Sequence, residues 1–374
     1  MKKKNSNFQI PVFLGVASVW FGTHAGPGSA SGNMTASYYA SFGKWGFITP
    51  IIAMGIMAIC IYFAIEYSRL KGITSFNEFA KSFFHPYGKI FSIFYEITFL
   101  ITVLIVLGGS LATGAKIMKE YLNLPILIGT GLLIIGAIVL SIYGEKLVRS
   151  SNTVMTIFIV ISLAAIVIAG LLSPDSDFVG QWQSVSFSDH SFIDGTLMAI
   201  VYAGFMSAGT MANAISVSDG LKSKKESFKA ASVGMIMNLF LILIVVVLLF
   251  AYPEHLNDTL PNYTIIKNTN ITILIFAYVM MVVLAVLSSI VSYAFTSLAR
   301  YSALLPIKEG RTRNIVTLIL LFSVTFLISL LGLDVIVSQG YKYIGYAVIP
   351  TLIIPTILLG SRKIKEAEEE NKQI

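Results

Sequence analysis

The sequence predicts an all-α integral membrane protein with ten transmembrane helices, and three observations carry that expectation. Of 374 residues, 56% are hydrophobic and 12% charged, with a mean hydropathy of +0.80. A soluble domain carries about 25% charged residues, so lipid is the main solvent of this chain. Apolar runs such as residues 239–251 and 315–331 lie in stretches long enough for the roughly 20 helical residues that cross a hydrocarbon core. The period-2 alternation of a β-barrel does not occur in them. The third observation is the distribution of basic residues, which fits ten crossings.

The spans read as residues 9–41, 46–68, 87–119, 124–144, 150–172, 192–220, 228–252, 270–303, 313–332 and 336–359. Turn chemistry separates them at Asn123-Leu-Pro125, Ser173-Pro174-Asp175, Pro253-Glu254, Pro306 with Gly310, and Gly332. With the amino terminus inside, the inner segments collect Lys2, Lys3 and Lys4, then Arg69, Lys71, Lys81 and Lys89, then Lys146 and Arg149. Lys222, Lys224, Lys225 and Lys229 follow, then Arg300, Lys308, Arg311 and Arg313, and finally Arg362, Lys363, Lys365 and Lys372. Of 26 Lys and Arg, only Lys44, Lys116, Lys119, Lys267 and Lys342 fall on the other side. A miscount by one helix would scramble this bias in every later loop. The positive-inside rule therefore places both termini in the cytoplasm of a cell-membrane protein.

The net charge of +7 reports topology and attraction to anionic inner-leaflet lipid, not nucleic acid. Met1-Lys-Lys-Lys4 before an apolar stretch, with Ser29-Ala-Ser31 beyond it, has the outline of a signal peptide. Gly22 and His24 interrupt that stretch, and the charge count requires the segment to stay. Residues 1–360 form a single transmembrane domain, and 361–374 a charged tail expected to be a solvated helix extension. Cys60, the one cysteine, reads as a small buried hydrophobe.

Two spans are interrupted. Residues 22–32 read Gly-Thr-His-Ala-Gly-Pro-Gly-Ser-Ala-Ser-Gly. In a helix interior Gly costs about 1 kcal/mol and Pro about 3 kcal/mol relative to Ala. Non-helical backbone at membrane depth is tolerated only where protein, water, ion or substrate meets the freed groups. The expectation is a break near the midplane whose carbonyls face a cation and whose amides, from Gly28 onward, face an anion. Residues 202–209, Tyr-Ala-Gly-Phe-Met-Ser-Ala-Gly, repeat the idea in the sixth span, although such small residues also suit close helix packing. The two interrupted spans each open a block of five, 9–172 and 192–360. Because five is odd, the second block must be inserted upside down, which makes a 5+5 inverted repeat with helices 1 and 6 broken at the midplane. On the eighth span, Ala285, Ser288 and Ser289 share a helix face, where a carbonyl and two hydroxyls can converge. Serines at such positions also bond back to the preceding turn.

Ionisable residues at depth are candidates for gating or coupling: His24 in the first break, Glu96 on the third span, and Lys342 on the tenth among Tyr341, Tyr343 and Tyr346. Nothing in the chain reads as an enzyme. His24, His85, His190 and His255 lie on separate helices and loops and do not converge on a metal, and residues 22–28 lack the Lys-Ser/Thr ending of a phosphate loop.

These residues resemble the amino acid–polyamine–organocation superfamily with its LeuT-type fold, and more narrowly the YkvI-type bacterial membrane proteins. The resemblance covers residues 9–360. The stretch Gly22-x-x-Ala25-Gly26-x-Gly28 is similar to the unwound segment of sodium-coupled members, and Ala285-x-x-Ser288-Ser289 to their helix-8 sodium motif. The resemblance implies one Na⁺ held by the carbonyls of Gly22, Ala25 and Ala285 and the hydroxyls of Ser288 and Ser289, with no other cofactor. It places a small-molecule substrate beside Gly26, Gly28 and Ser29 on helix 1 and Ala203, Gly204 and Phe205 on helix 6, with Phe205 as a lid. It further implies Na⁺-coupled symport of a small organic solute, an amino acid or amine, by alternating access. Two residues depart from the pattern. Pro27 has no N–H where members often offer one to a substrate carboxylate, and His24 stands where small residues are usual. Helix 5 has no lysine to carry a coupling proton. The alternatives are a proton-coupled transporter of the same fold and a non-transporting membrane sensor or binding subunit. A channel needs a continuous polar pore, and the polar positions at depth are few and clustered at the breaks.

Overall fold

The computed structural model describes residues 10–258, 260–330 and 341–373. The first span is built from α1 (Val12–His24), α2 (Pro27–Ser31) and α3 (Asn33–Tyr38), and leads into a 3₁₀ segment, Ala40–Phe47. Then follow α4 (Thr49–Lys71), α5 (Phe76–Phe83), α6 (Gly88–Leu122), α7 (Ile126–Ile142), α8 (Glu145–Leu171) and α9 (Phe178–Ser184). The second half holds α10 (Phe192–Ser216), α11 (Lys224–Phe250), α12 (Pro261–Asn268), α13 (Thr272–Tyr301) and α14 (Arg311–Ser329). It ends in α15 (Tyr341–Val348), a π turn over Ile349–Ile353, and α16 (Ile354–Gln373). There is no strand among the described residues. Eight helical stretches are long and apolar enough to cross a membrane, and the shorter apolar helices α1 and α7 supply the other two positions. Each of the ten expected spans thus has a helical counterpart. Residues 331–332 of the ninth span and 336–340 of the tenth lie outside the described residues.

Side-chain burial sorts the helices by depth. In α7 the buried residues include Gly129, Leu133, Ala137 and Ser141, a row spaced by four that faces the bundle. Leu127, Leu132, Ile135 and Val139 on its other sides are exposed, as lipid-facing residues are. The same division leaves Ile90, Ile93, Phe94, Ile97 and Ile101 of α6 facing outward. By contrast, every residue of α10 from Val201 to Ser216 is buried. A helix apolar and buried all round is the centre of a bundle, and α10 packs against α1, α4, α13 and α15.

The first span breaks where its glycines and proline fall. α1 ends at His24, Gly26 has φ −58° and ψ −169°, and α2 opens on Pro27. A proline at the first helical position gives up an N–H that has no partner there in any case. Gly32 sits at φ +87°, the left-handed region that L side chains avoid, and turns the chain from α2 into α3. The 13 residues of α1 span about 20 Å at 1.5 Å per residue, so the break lies well inside a hydrocarbon core of about 30 Å.

The expected second break is not found. α10 runs unbroken from Phe192 to Ser216, through Ala203, Gly204 and Gly209. A Cβ on Gly204 would strike the Gly345 carbonyl, and one on Gly209 would strike the Tyr293 ring and hydroxyl. Gly345 in turn presses on the Val201 carbonyl. The small residues of helix 6 therefore let α15 and α13 approach its backbone, which is the packing use of such residues. With no proline in the stretch and tight packing around it, its backbone keeps helical hydrogen bonds.

Basic residues from separate segments meet at one end of the bundle. α16 carries the charged tail as a continuous helix laid on α4, with Ile364 and Ala367 buried. Lys71 pairs with Glu370, Lys224 Nζ with Glu368 at 3.0 Å, and Asn371 donates to the Leu70 carbonyl at 3.0 Å. The tail is thus docked, whereas the sequence suggested only a solvated extension.

Candidate functional site

Breaking helix 1 releases carbonyls that would otherwise accept from the next turn. Two of them are taken by hydroxyls: Ser289 Oγ donates to the Thr23 carbonyl at 3.3 Å, and Ser29 Oγ donates to the His24 carbonyl at 2.8 Å. Ser289 comes from α13, so the break is tied to helix 8. Gly22 lies so close to that helix that a Cβ would strike Ser288 Oγ, and a Cβ on Gly26 would sit 3.0 Å from Ser289 Oγ. Ala25 and Ala285 are both fully buried. The Gly22–Gly26 turn and the Ser288–Ser289 pair therefore face each other in the protein interior.

The sequence reading missed a third participant. Ser288 Oγ donates to Asn152 Oδ1, and Ser292 Oγ lies 3.4 Å from the same oxygen. Asn152 belongs to α8, is fully buried, and anchors its amide by donating from Nδ2 to the Val148 carbonyl at 2.9 Å. The signal was available: Asn152 carries a side-chain amide into a helix that is otherwise largely apolar from Val154 onward. Among the described residues no three His, Cys, Asp or Glu side chains converge as metal ligands. The donors at this junction are neutral hydroxyl, amide and carbonyl oxygens, a set that suits a hard monovalent cation without burying a net charge.

Beside this junction lies a small cavity of about 10 Å³. Thr23, His24, Gly26, Gly28 and Met34 line it from helix 1, Phe205 and Met206 from α10, and Val106, Tyr293 and Tyr341 from α6, α13 and α15. A water needs about 10–15 Å³, so in this conformation the space fits a single water and is closed to an organic solute. Phe205 stacks on Tyr341 with ring centroids 4.0 Å apart, sealing one side. The Tyr293 hydroxyl is buried with no hydrogen-bond partner among the described residues. His24, fully buried, meets the Tyr202 hydroxyl through Nε2 at 2.5 Å, and Tyr38 and Tyr39 pack edge-on against the Tyr202 ring.

Of the expected substrate contacts, Gly26, Gly28 and Phe205 line this cavity, and Ser29 is buried with its hydroxyl on the His24 carbonyl. Ala203 is buried but is not among the lining residues, and Gly204 faces α15. Tyr293 was legible in the sequence, since it follows Ser289 by one turn on the same face of helix 8. Lys342 is exposed and points away, while its neighbour Tyr341 forms the wall. Glu96 stands apart from the cavity. Its carboxylate takes Arg300 Nε at 2.8 Å and Asn77 Nδ2 at 2.8 Å, an ion pair between α6 and α13.

No protein-family model matches the sequence, and no curated protein matches it. Solved structures do. MhsT in complex with L-phenylalanine aligns with TM-score 0.61 and 16% identity over 94% of this chain and 87% of that one. Mhp1, a nucleobase-cation-symport-1 family transporter with bromovinylhydantoin bound, aligns with TM-score 0.61 and 12% identity over 96% and 93%. A substrate-bound, outward-open Na⁺-coupled sialic acid symporter aligns with TM-score 0.63 and 14% identity over 96% and 88%. The fold is the LeuT-type transporter fold. At these identities the likeness concerns the fold alone.

Proposed function

We propose that this chain is a secondary active transporter of the cell membrane, with both termini cytoplasmic, that couples Na⁺ to a small organic solute by alternating access. The observation that carries the reading is the closure of the helix-1 break onto helix 8, with Ser289 Oγ on the Thr23 carbonyl. Na⁺ would take the carbonyls of Gly22, Ala25 and Ala285 with the hydroxyls of Ser288 and Ser289, as in the sodium-coupled members of the amino acid–polyamine–organocation superfamily that the sequence resembles. An ion bridging two helices that separate in another state binds one state better than the other, which is the requirement for driving a conformational change. Helices 1, 2, 6 and 7 would rock against 3, 4, 8 and 9.

The cavity walls favour a substrate without net charge. No described lining residue carries a permanent charge, and a lone charged amine there would lack a counter-ion. A zwitterionic amino acid with an aromatic or branched side chain fits this lining better: its side chain against Phe205, Tyr341 and Met206, and a polar atom against the Tyr293 hydroxyl.

The test is uptake into proteoliposomes with and without a Na⁺ gradient, scanned over neutral amino acids and amines. Ser289→Ala is expected to remove the Na⁺ dependence. Unchanged Na⁺ dependence in that variant overturns the ion site, and uptake driven by a proton gradient alone overturns Na⁺ coupling. The second reading is a proton-coupled version of the same fold, with the buried His24–Tyr202 pair as its candidate proton site.

A further inference from the structure

Away from the midplane site, an apolar groove of about 400 Å³ opens between α6, α13 and α14. Its walls include Leu100, Leu104, Leu304, Leu320 and Val324, and its volume falls in the range of about 300–1,000 Å³ typical of small-molecule sites. Leu304 and Leu320 are more than half exposed, so the groove opens to the side of the bundle. One end, at Thr317 and Leu305, lies next to Lys308 of the preceding loop and Arg311 and Arg313 of the first turn of α14. Arg313 lies one helical turn before Thr317 on the same face. Its side chain is only 17% exposed, and its Nε is buried with no hydrogen-bond partner among the described residues. The nearest carboxylate, the exposed Glu309, reaches the other side of the guanidinium at 3.7 Å. The guanidinium is thus only loosely paired, and an anionic oxygen at its exposed edge would complete the pair.

We propose that this groove is a binding site for an anionic phospholipid, with one acyl chain along α14 and the phosphate on Arg313 and Lys308. The apolar walls match a hydrocarbon chain and the basic mouth matches the headgroup charge. The site lies at the junction of the loop with the bilayer, where a phosphate sits. It is separate from the ion and substrate cavity, and it leans on α13, the helix that carries Ser288 and Ser289.

The test is lipid binding to the full chain in neutral detergent, by native mass spectrometry, with dioleoyl-phosphatidylglycerol against dioleoyl-phosphatidylcholine. Phosphatidylglycerol is expected to bind more tightly, and Arg313→Gln or Lys308→Gln to lower its affinity about fivefold each at low salt, as loss of one basic residue near an anionic lipid does. Leu320→Trp, which fills the groove at an exposed position, is expected to displace both lipids. Equal binding of the two lipids overturns the proposal, as does phosphatidylglycerol binding that survives Leu320→Trp. Inorganic phosphate competing as well as the lipid binds also overturns it, because the chain would then contribute nothing.

Discussion

Residues 22–32 and 202–209 carry the same kinds of small residues at the head of each five-helix block, yet one is a broken helix and the other a continuous one. What differs is the environment of each glycine. Gly22 and Gly26 face polar side chains, Ser288, Asn152 and Ser289, which can serve released backbone groups. Gly204 faces the Gly345 carbonyl, and Gly209 the Tyr293 side chain. Helix 1 also carries Pro27, which helps end one helix and start the next. Glycine content thus marks both a break and a close approach, and the neighbour decides which.

This contrast can be broken or sharpened by substitution. The largest effect is expected from Gly204→Leu, which forces a side chain into α15. Overpacking of this kind costs about 1–3 kcal/mol or more, so folded, monodisperse protein should be lost on size-exclusion chromatography. Normal folding and transport in that variant would mean that α10 yields at this point as helix 1 does. Next comes Gly22→Ala, where the methyl group strikes Ser288 and Asn152 at the place proposed for the ion. The clash pushes the Ser288 and Asn152 side chains aside and lowers stability, and in the protein that still folds Na⁺ should no longer raise the thermal midpoint. A retained Na⁺ shift would show that the polar face of the break is not an ion site.

Asn152→Ala should act through Ser288, which loses the acceptor that orients its hydroxyl. A hydrogen bond contributes about 0.5–1.5 kcal/mol, so Na⁺ activation should weaken by about tenfold or less while the maximal rate persists. Lost folding would instead make Asn152 purely structural. The smallest effect is expected from Tyr202→Phe, which removes the hydroxyl that meets His24 Nε2. Heat stability should fall by about 1 kcal/mol, and if transport is proton-coupled its pH profile should move as well. An unchanged stability would show that the two halves of the site are not joined through this pair.

The helical class and the first break were legible because they follow from composition and local chemistry. Apolar length sets a span, and Gly26, Pro27 and Gly32 set a break by backbone preference alone. Ser288 and Ser289 were legible from their shared helix face. Asn152 stood out only as a side-chain amide at the head of an otherwise apolar helix; its partner lies 136 positions away, and no local pattern links the two. Lys342 drew attention as a charge at depth, yet the side chain beside it, Tyr341, is the one turned inward. The sequence placed both on the tenth span without fixing how that helix is rotated, and residues 331–340 before it lie outside the described residues.

By itself, then, the sequence determined that the chain is a helical membrane protein and that its first helix cannot run unbroken, since lipid as solvent and the missing Pro27 amide are local facts. Only the tertiary structure decided that the second glycine-rich stretch stays helical, that helix 5 reaches the serines of helix 8, and that the charged tail lies on α4. These depend on which surfaces come within hydrogen-bonding or van der Waals distance, and that is settled by packing across the bundle.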